Sequence, residues 1–202
     1  GSPETIELYE RGELDYQQIL ARLRPRPWFI DDADAMTARL TSREQYRQAL
    51  VFVDNAGTDI VFGVLPLARE LARGGTRVVL AANSEPALND MTINELNPLL
   101  DRIAELDPAV TELREADRLA TVDSGNGTPL IDLGSVSNTC NAEAYASDLI
   151  VLEGMGRGVE SNWRQRLSCD AWRIALIKDE AVARWVGCRI FDPICRFDAG
   201  GS

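Results

Sequence analysis

The chain contains no histidine. Imidazole general bases, His-containing catalytic triads and HExxH zinc sites are therefore excluded. Cysteine is sparse: Cys140, Cys169, Cys188 and Cys195 form no CxxC pair, nothing points to an oxidising compartment, and buried thiols are expected. Positive charge is in deficit, with 21 Lys and Arg against 32 Asp and Glu and a formal net charge of −11. A field of that sign repels nucleic acid and anionic membrane surfaces, so neither is an expected partner, and any anionic substrate must be held by local cations. No apolar run reaches the roughly 18 residues of a membrane helix, and the first residues lack the basic and apolar regions of a signal peptide. A cytoplasmic protein is expected, with Gly1-Ser2-Pro3 as a tag remnant. The chemistry left open belongs to carboxylates, amides, lysine, arginine or a bound metal ion.

What is present is enough for one domain with a proper core: 202 residues, 45% of them hydrophobic. Residues 4–24 carry Ile6, Tyr9, Tyr16, Ile19, Leu20 and Leu23 at helical spacing broken by Gly12, which predicts two short helices. Asp31, Asp32 and Asp34 then read as a helix entry, with carboxylates complementing the dipole. Residues 49–54 form a buried strand, and Thr58–Arg73 its crossover helix, either kinked at Pro66 or regular only from about that residue. Thr76–Ala82 is a second strand, parallel to the first by the right-handed crossover rule. Residues 93–118 read as one or two helices broken at Asp107-Pro108, and 123–128 as a turn. A short strand at Leu130–Leu133, a helical turn at Asn141–Tyr145 and a strand at Asp148–Leu152 follow. The remainder predicts a helix over Glu160–Leu167, a strand over Trp172–Ile177, a helix over Glu180–Trp185 and a last strand at Arg189–Phe191. This alternation predicts a three-layer α/β/α sandwich with a mainly parallel sheet. The expected division is a helical segment over 1–45, the α/β domain over 46–195 and a tail over 196–202.

Parallel strands deliver their carboxyl ends to one sheet edge, where open α/β sheets keep their ligands. Polar residues sit at several such ends: Asp54 and Asn55, Glu153 to Arg157, and Lys178, with Asp90 brought to the same edge by the loop after the second strand. Asp54, Asn55 and Gly57 either present hard oxygen donors to a divalent cation or shape a strand-to-helix turn. In Gly154-Met155-Gly156 two glycines let backbone N–H groups approach an anion. Arg157 and Lys178 are either phosphate-binding cations or ordinary surface charges.

VDNAGTD (53–59), VVLAANSEPALNDMT (78–92) and above all EGMGR (153–157) closely resemble the metal-dependent damage-control phosphatases, once called domain of unknown function 89. The match is to the EGMGR-motif subfamily that includes the phosphatase domain fused behind eukaryotic pantothenate kinase four. It covers the chain from about Pro25 to about Phe191. The resemblance implies that Asp54, Asn55 and Asp90 bind a metal such as cobalt, nickel, manganese or magnesium. It implies also that Glu153, Gly154, Met155, Gly156, Arg157 and Lys178 line the phosphate site, with Arg157 catalytic alongside the three ligands. The implied substrates are small phosphorylated metabolites, such as phosphopantetheine and its oxidised forms. Family members carry a longer helical region ahead of the core than the roughly 45 residues found here, which either a piece of a larger enzyme, lacking a helical cap or fused domain, or a minimal natural homologue would explain. The stretch after the last strand also diverges from the family pattern.

The reading is thus a metal-dependent phosphomonoesterase. A non-catalytic binding or regulatory module retaining the fold is the alternative, although keeping Asp54, Asn55, Asp90 and Arg157 together would be odd for a dead site. A haloacid-dehalogenase mechanism needs a second Asp where Ala56 stands, and no GxGxxG follows the first strand to support a nucleotide-binding transferase.

Overall fold

The computed structural model describes residues 24–42 and 44–201. The two short helices expected over 4–24 lie outside the described residues, apart from Arg24. In chain order the described elements are β1 (Ile30–Asp31), α1 (Ala33–Leu40), β2 (Gln48–Phe52), α2 (Leu65–Arg73), β3 (Arg77–Ala82), α3 (Ile93–Leu106) and α4 (Pro108–Glu115). They continue with β4 (Leu119–Asp123), α5 (Asn138–Ala146), β5 (Leu149–Glu153), β6 (Asp170–Leu176), α6 (Glu180–Val186) and β7 (Pro193–Asp198). Two wide π-helical turns, Ile60–Val64 and Met155–Ser161, follow β2 and β5.

Among the described residues seven strands form one sheet in the order β1-β7-β6-β5-β2-β3-β4. Every pairing is parallel except β6 with β7. β2 is an interior strand between β5 and β3, and its residues face apolar layers on both sides, as interior parallel strands require. Ala49, Val51 and Val53 point into a core shared with α2, α3 and α4, whereas Leu50 and Phe52 point into one that includes Cys140 of α5 and Ile131. Val159, Ala175, Ile177, Ala183 and Ile194 make a third cluster under α6. The α/β class and the mainly parallel sheet agree with the sequence reading.

The crossover helix becomes regular at Leu65, so Pro66 stands in its first turn, where a missing N–H is harmless. The helices over 93–118 do break before Pro108, with the Asp107 carboxylate capping α4 through the Ala109 N–H at 3.0 Å. Four expectations need correction. Leu130–Leu133 is irregular, since Ile131 turns inward as a single core residue rather than pairing. Residues 119–123 form β4, which was not anticipated. The helix expected over Glu160–Leu167 is the π-helical turn Met155–Ser161, started earlier by the glycines. Arg189–Phe191 is a turn, with Phe191 at φ 63°, and the last strand is β7. β7 reaches Asp198 inside the expected tail, and β1 adds part of the expected helical segment to the sheet.

Candidate active site

The carboxyl ends of β2, β3 and β5 meet in a cluster of acids around one guanidinium. β2 pairs with β3 so that Phe52 faces Ala81, which brings the following Asp54 beside Asn83. The loop after β3 returns to this edge: Met91 N–H donates to the Asp54 carbonyl at 2.8 Å, Ala56 N–H to that of Asn89 at 2.9 Å, and Asn55 bridges Asp90. Asp54, Asn55 and Asp90 are therefore gathered by backbone pairing as well as by side chains. Asn55 Nδ2 donates to Asp54 Oδ2 at 3.1 Å and to Asp59 Oδ2 at 2.9 Å.

Arg157 does not face outward as a phosphate fork would. Its side chain is 1% exposed, and its guanidinium donates to Asp54 Oδ1, to Asp90 Oδ2 at 3.1 Å and to Asn83 Oδ1 at 3.0 Å. Arg157 thus binds the expected metal ligands to one another. Asn83, itself 1% exposed, completes the bridge by donating to Asp90 Oδ2 at 3.1 Å. Sequence reasoning passed over Asn83, although the register of β2 with β3 could have placed it beside Asp54.

The EGMGR residues divide between roles. Glu153 Oε2 accepts the Asp54 N–H at 2.8 Å, so it props the strand end. Gly154 adopts φ 95°, and a Cβ there would come within 2.2 Å of an Asp54 carboxylate oxygen; only glycine leaves room for the acid. Gly156 abuts the Pro129 carbonyl, where a Cβ would sit at 2.5 Å. Met155 packs on the α6 cluster and its sulfur accepts the Lys178 N–H at 3.4 Å, so its side chain serves packing. Lys178 is exposed just beyond β6.

Burial pushes the Asp54 carboxyl up to about 6, with Asp90 reinforcing the shift and Arg157 and Lys178 opposing it. Burial likewise raises Asp90, against the pull of Arg157. Glu153 is pushed up to about 8 by burial and by the neighbouring Asp54 charge. One internal cation does not satisfy this many acids. Among the described residues no three His, Cys, Asp or Glu side chains converge into a ready metal cluster. The cluster is two carboxylates with the Asn55 and Asn83 amides, and this oxygen-only set, with the glycine-cleared space beside Asp54, fits a hard divalent cation and not a thiolate-type site.

The Damage-control phosphatase ARMT1-like domain matches residues 5–193. A damage-control phosphatase of Arabidopsis thaliana is 37% identical over 98% of this chain and 53% of its own length. The 4'-phosphopantetheine phosphatase of Mus musculus is 31% identical over 92% of this chain and 28% of its own. The chain thus spans about half the length of the first relative and about a quarter of the second. In three dimensions it is similar to the crystal structure of a DUF89 family protein from Pyrococcus horikoshii, with a TM-score of 0.65 and 19% identity. That likeness covers 96% of this chain and 58% of the other and concerns the fold. From its fold, its site and the match over residues 5–193, the chain belongs to the damage-control phosphatase ARMT1-like domain family.

Proposed function

We propose that this chain is a metal-dependent phosphatase that hydrolyses phosphate monoesters of small metabolites, of the phosphopantetheine or damaged sugar and cofactor phosphate class. The observation that carries the reading is the convergence of Asp54, Asn55 and Asp90 with Arg157 at one sheet edge, in the order of the family's motifs. Two relatives named as phosphatases support the reaction class.

Asp54, Asn55 and Asp90 would hold magnesium, manganese, cobalt or nickel in a partly hydrated site. When bound, such a cation supplies Lewis acidity toward a phosphoryl oxygen and an acidified water. The chain's own residues do the rest. Arg157 and Asn83 hold the two carboxylates at a fixed separation, and Glu153 fixes the Asp54 main chain. Lys178, exposed at the same edge, is placed to attract a phosphate dianion against the field of a chain at −11. Gly154 leaves room for the Asp54 carboxylate, and Gly156 lets the loop pack against the Pro129 carbonyl.

The test is a panel of phosphometabolites assayed with each of the four metals and with chelator. Phosphate release that needs a divalent cation and disappears in Asp54→Asn is expected. Release unaffected by chelator would sink the metal dependence. No release from any substrate with any metal would favour a binding module that kept the fold.

A further inference from the structure

We infer that the cavity between β6, β7 and the 163–169 segment is a second binding site, built for a small polyanion that carries phosphate or carboxylate groups. The cavity measures about 490 Å³ and opens over the amino-terminal half of β6, away from the carboxyl edge that holds Asp54. Its walls include Arg164, Arg166, Arg173 and Arg196, with Asp198 as their one carboxylate. In a chain with 32 acids against 21 bases this local excess of positive charge runs against the composition.

The excess is built into the sheet. Arg173 and Arg196 are direct cross-strand partners on the antiparallel β6–β7 pair, an arrangement that like charges disfavour. Asp198 offsets part of it, pairing with Arg173 and with Arg196 Nη2 at 2.8 Å. Arg173 has only 1% of its side chain exposed and is held by the Asn162 carbonyl at 2.9 Å and by that of Gln165. Arg196 donates to the Trp163 carbonyl at 2.6 Å and lies 4.6 Å from the centre of the Trp163 ring. Two forks are thus fixed by the scaffold. Arg164 and Arg166 add exposed charge at the rim, and among the described residues neither makes an ion pair. Asp198 answers only Arg173 and Arg196, and among the described residues no carboxylate pairs with Arg164 or Arg166 at the rim. An oxyanion with several negative oxygens would supply that charge, gripped bidentately by the exposed forks of Arg164 and Arg166 above the fixed positive floor of Arg173 and Arg196. The volume suits a metabolite-sized ligand.

The assignment is independent of the catalytic reading and is tested without turnover. Inorganic pyrophosphate and tricarballylate are titrated into the whole chain in chelator at constant ionic strength, followed by calorimetry and by tryptophan fluorescence, to which Trp163 reports. Saturable binding of either probe near one per chain is expected, and which probe binds tells phosphate from carboxylate recognition. The Arg164→Ala/Arg166→Ala pair, both on the surface, should weaken binding about tenfold or more, while Lys178→Ala leaves it unchanged. No saturation by either probe below about 10 mM would overturn the site. So would equal affinity in the double variant, loss in Lys178→Ala, or an equal response to chloride.

Discussion

The two charged clusters of this molecule are built from the same side chains in opposite proportion. At the carboxyl edge Asp54, Asp90 and Glu153 surround the single buried guanidinium of Arg157. Over β6 and β7 four guanidiniums line one cavity with a single carboxylate, Asp198, which pairs with Arg173 and Arg196. Both are partly withdrawn from water, and both are left short of counter-charge by the residues that line them. The acidic cluster reveals its shortage in carboxyls pushed up to about 6 and about 8, by burial and by the repulsion of neighbouring carboxylates. The basic cluster has no such recourse, since guanidinium does not give up its proton in a protein. One edge can therefore take up protons to ease its excess, whereas the other keeps its full charge.

The sharpest way to break this contrast is to remove the buried cation of the acidic edge. Arg157→Ala leaves Asp54 and Asp90 buried without their shared partner and takes from Asn83 Oδ1 the shorter of its two hydrogen bonds. Unfolding by urea in chelator should show a loss of about 3 kcal/mol, the scale for deleting one member of a buried charge network. Manganese should narrow the gap to wild type, because a bound cation takes over part of the compensation. A variant as stable as wild type in chelator would show that Arg157 does not compensate the acids.

A smaller effect should follow pH. The unfolded carboxyls titrate near their ordinary values of 3.8 and 4.5, while Asp54 and Glu153 in the folded chain are raised to about 6 and about 8. For acids raised on folding, the stabilising contribution is complete below the unfolded values and is lost as pH rises through the folded ones. Stability in chelator should therefore fall steadily as pH rises from 5 to 8. Saturating magnesium or manganese should flatten the fall, since cation binding favours the deprotonated acids. A chelated protein that gains stability over the same range would refute the assigned direction.

The contrast also explains what the sequence could and could not reveal. β2 was legible because every one of its residues is buried, so its apolar run is continuous. β4 was not, because only Leu119 and Val122 of LATVD are buried, and β7 was not, because PICRFD mixes a proline and two charges beside the sheet edge. Asp54, Asn55 and Asp90 could be grouped from strand ends alone. The burial of Arg157 could not, since it depends on partners 103 and 67 residues away that only the register brings together. An arginine following two glycines reads locally as an exposed charge. The paired arginines over β6 and β7 were hidden for the same reason: Arg173 faces Arg196 only once the last strand turns antiparallel.

The gentlest perturbation falls on Lys178, the exposed cation of the acidic edge. Its main chain is anchored by the buried Ile177 and by the Met155 sulfur, so replacing the side chain should not disturb the fold. Its charge reaches Asp54 and Asp59, but through solvent, where such interactions are screened. Unlike Arg157 it is free to meet an incoming phosphate before chemistry begins. Lys178→Ala should therefore raise KM for a phosphate monoester about three- to tenfold, or about 0.7 to 1.4 kcal/mol, with kcat little changed. Lys178→Arg should recover most of the loss, and added salt should shrink the difference between variant and wild type. A fall in kcat of a hundredfold at unaltered KM would instead place Lys178 on the transition state, and the division of labour between a buried arginine that holds acids and an exposed lysine that gathers substrate would be wrong.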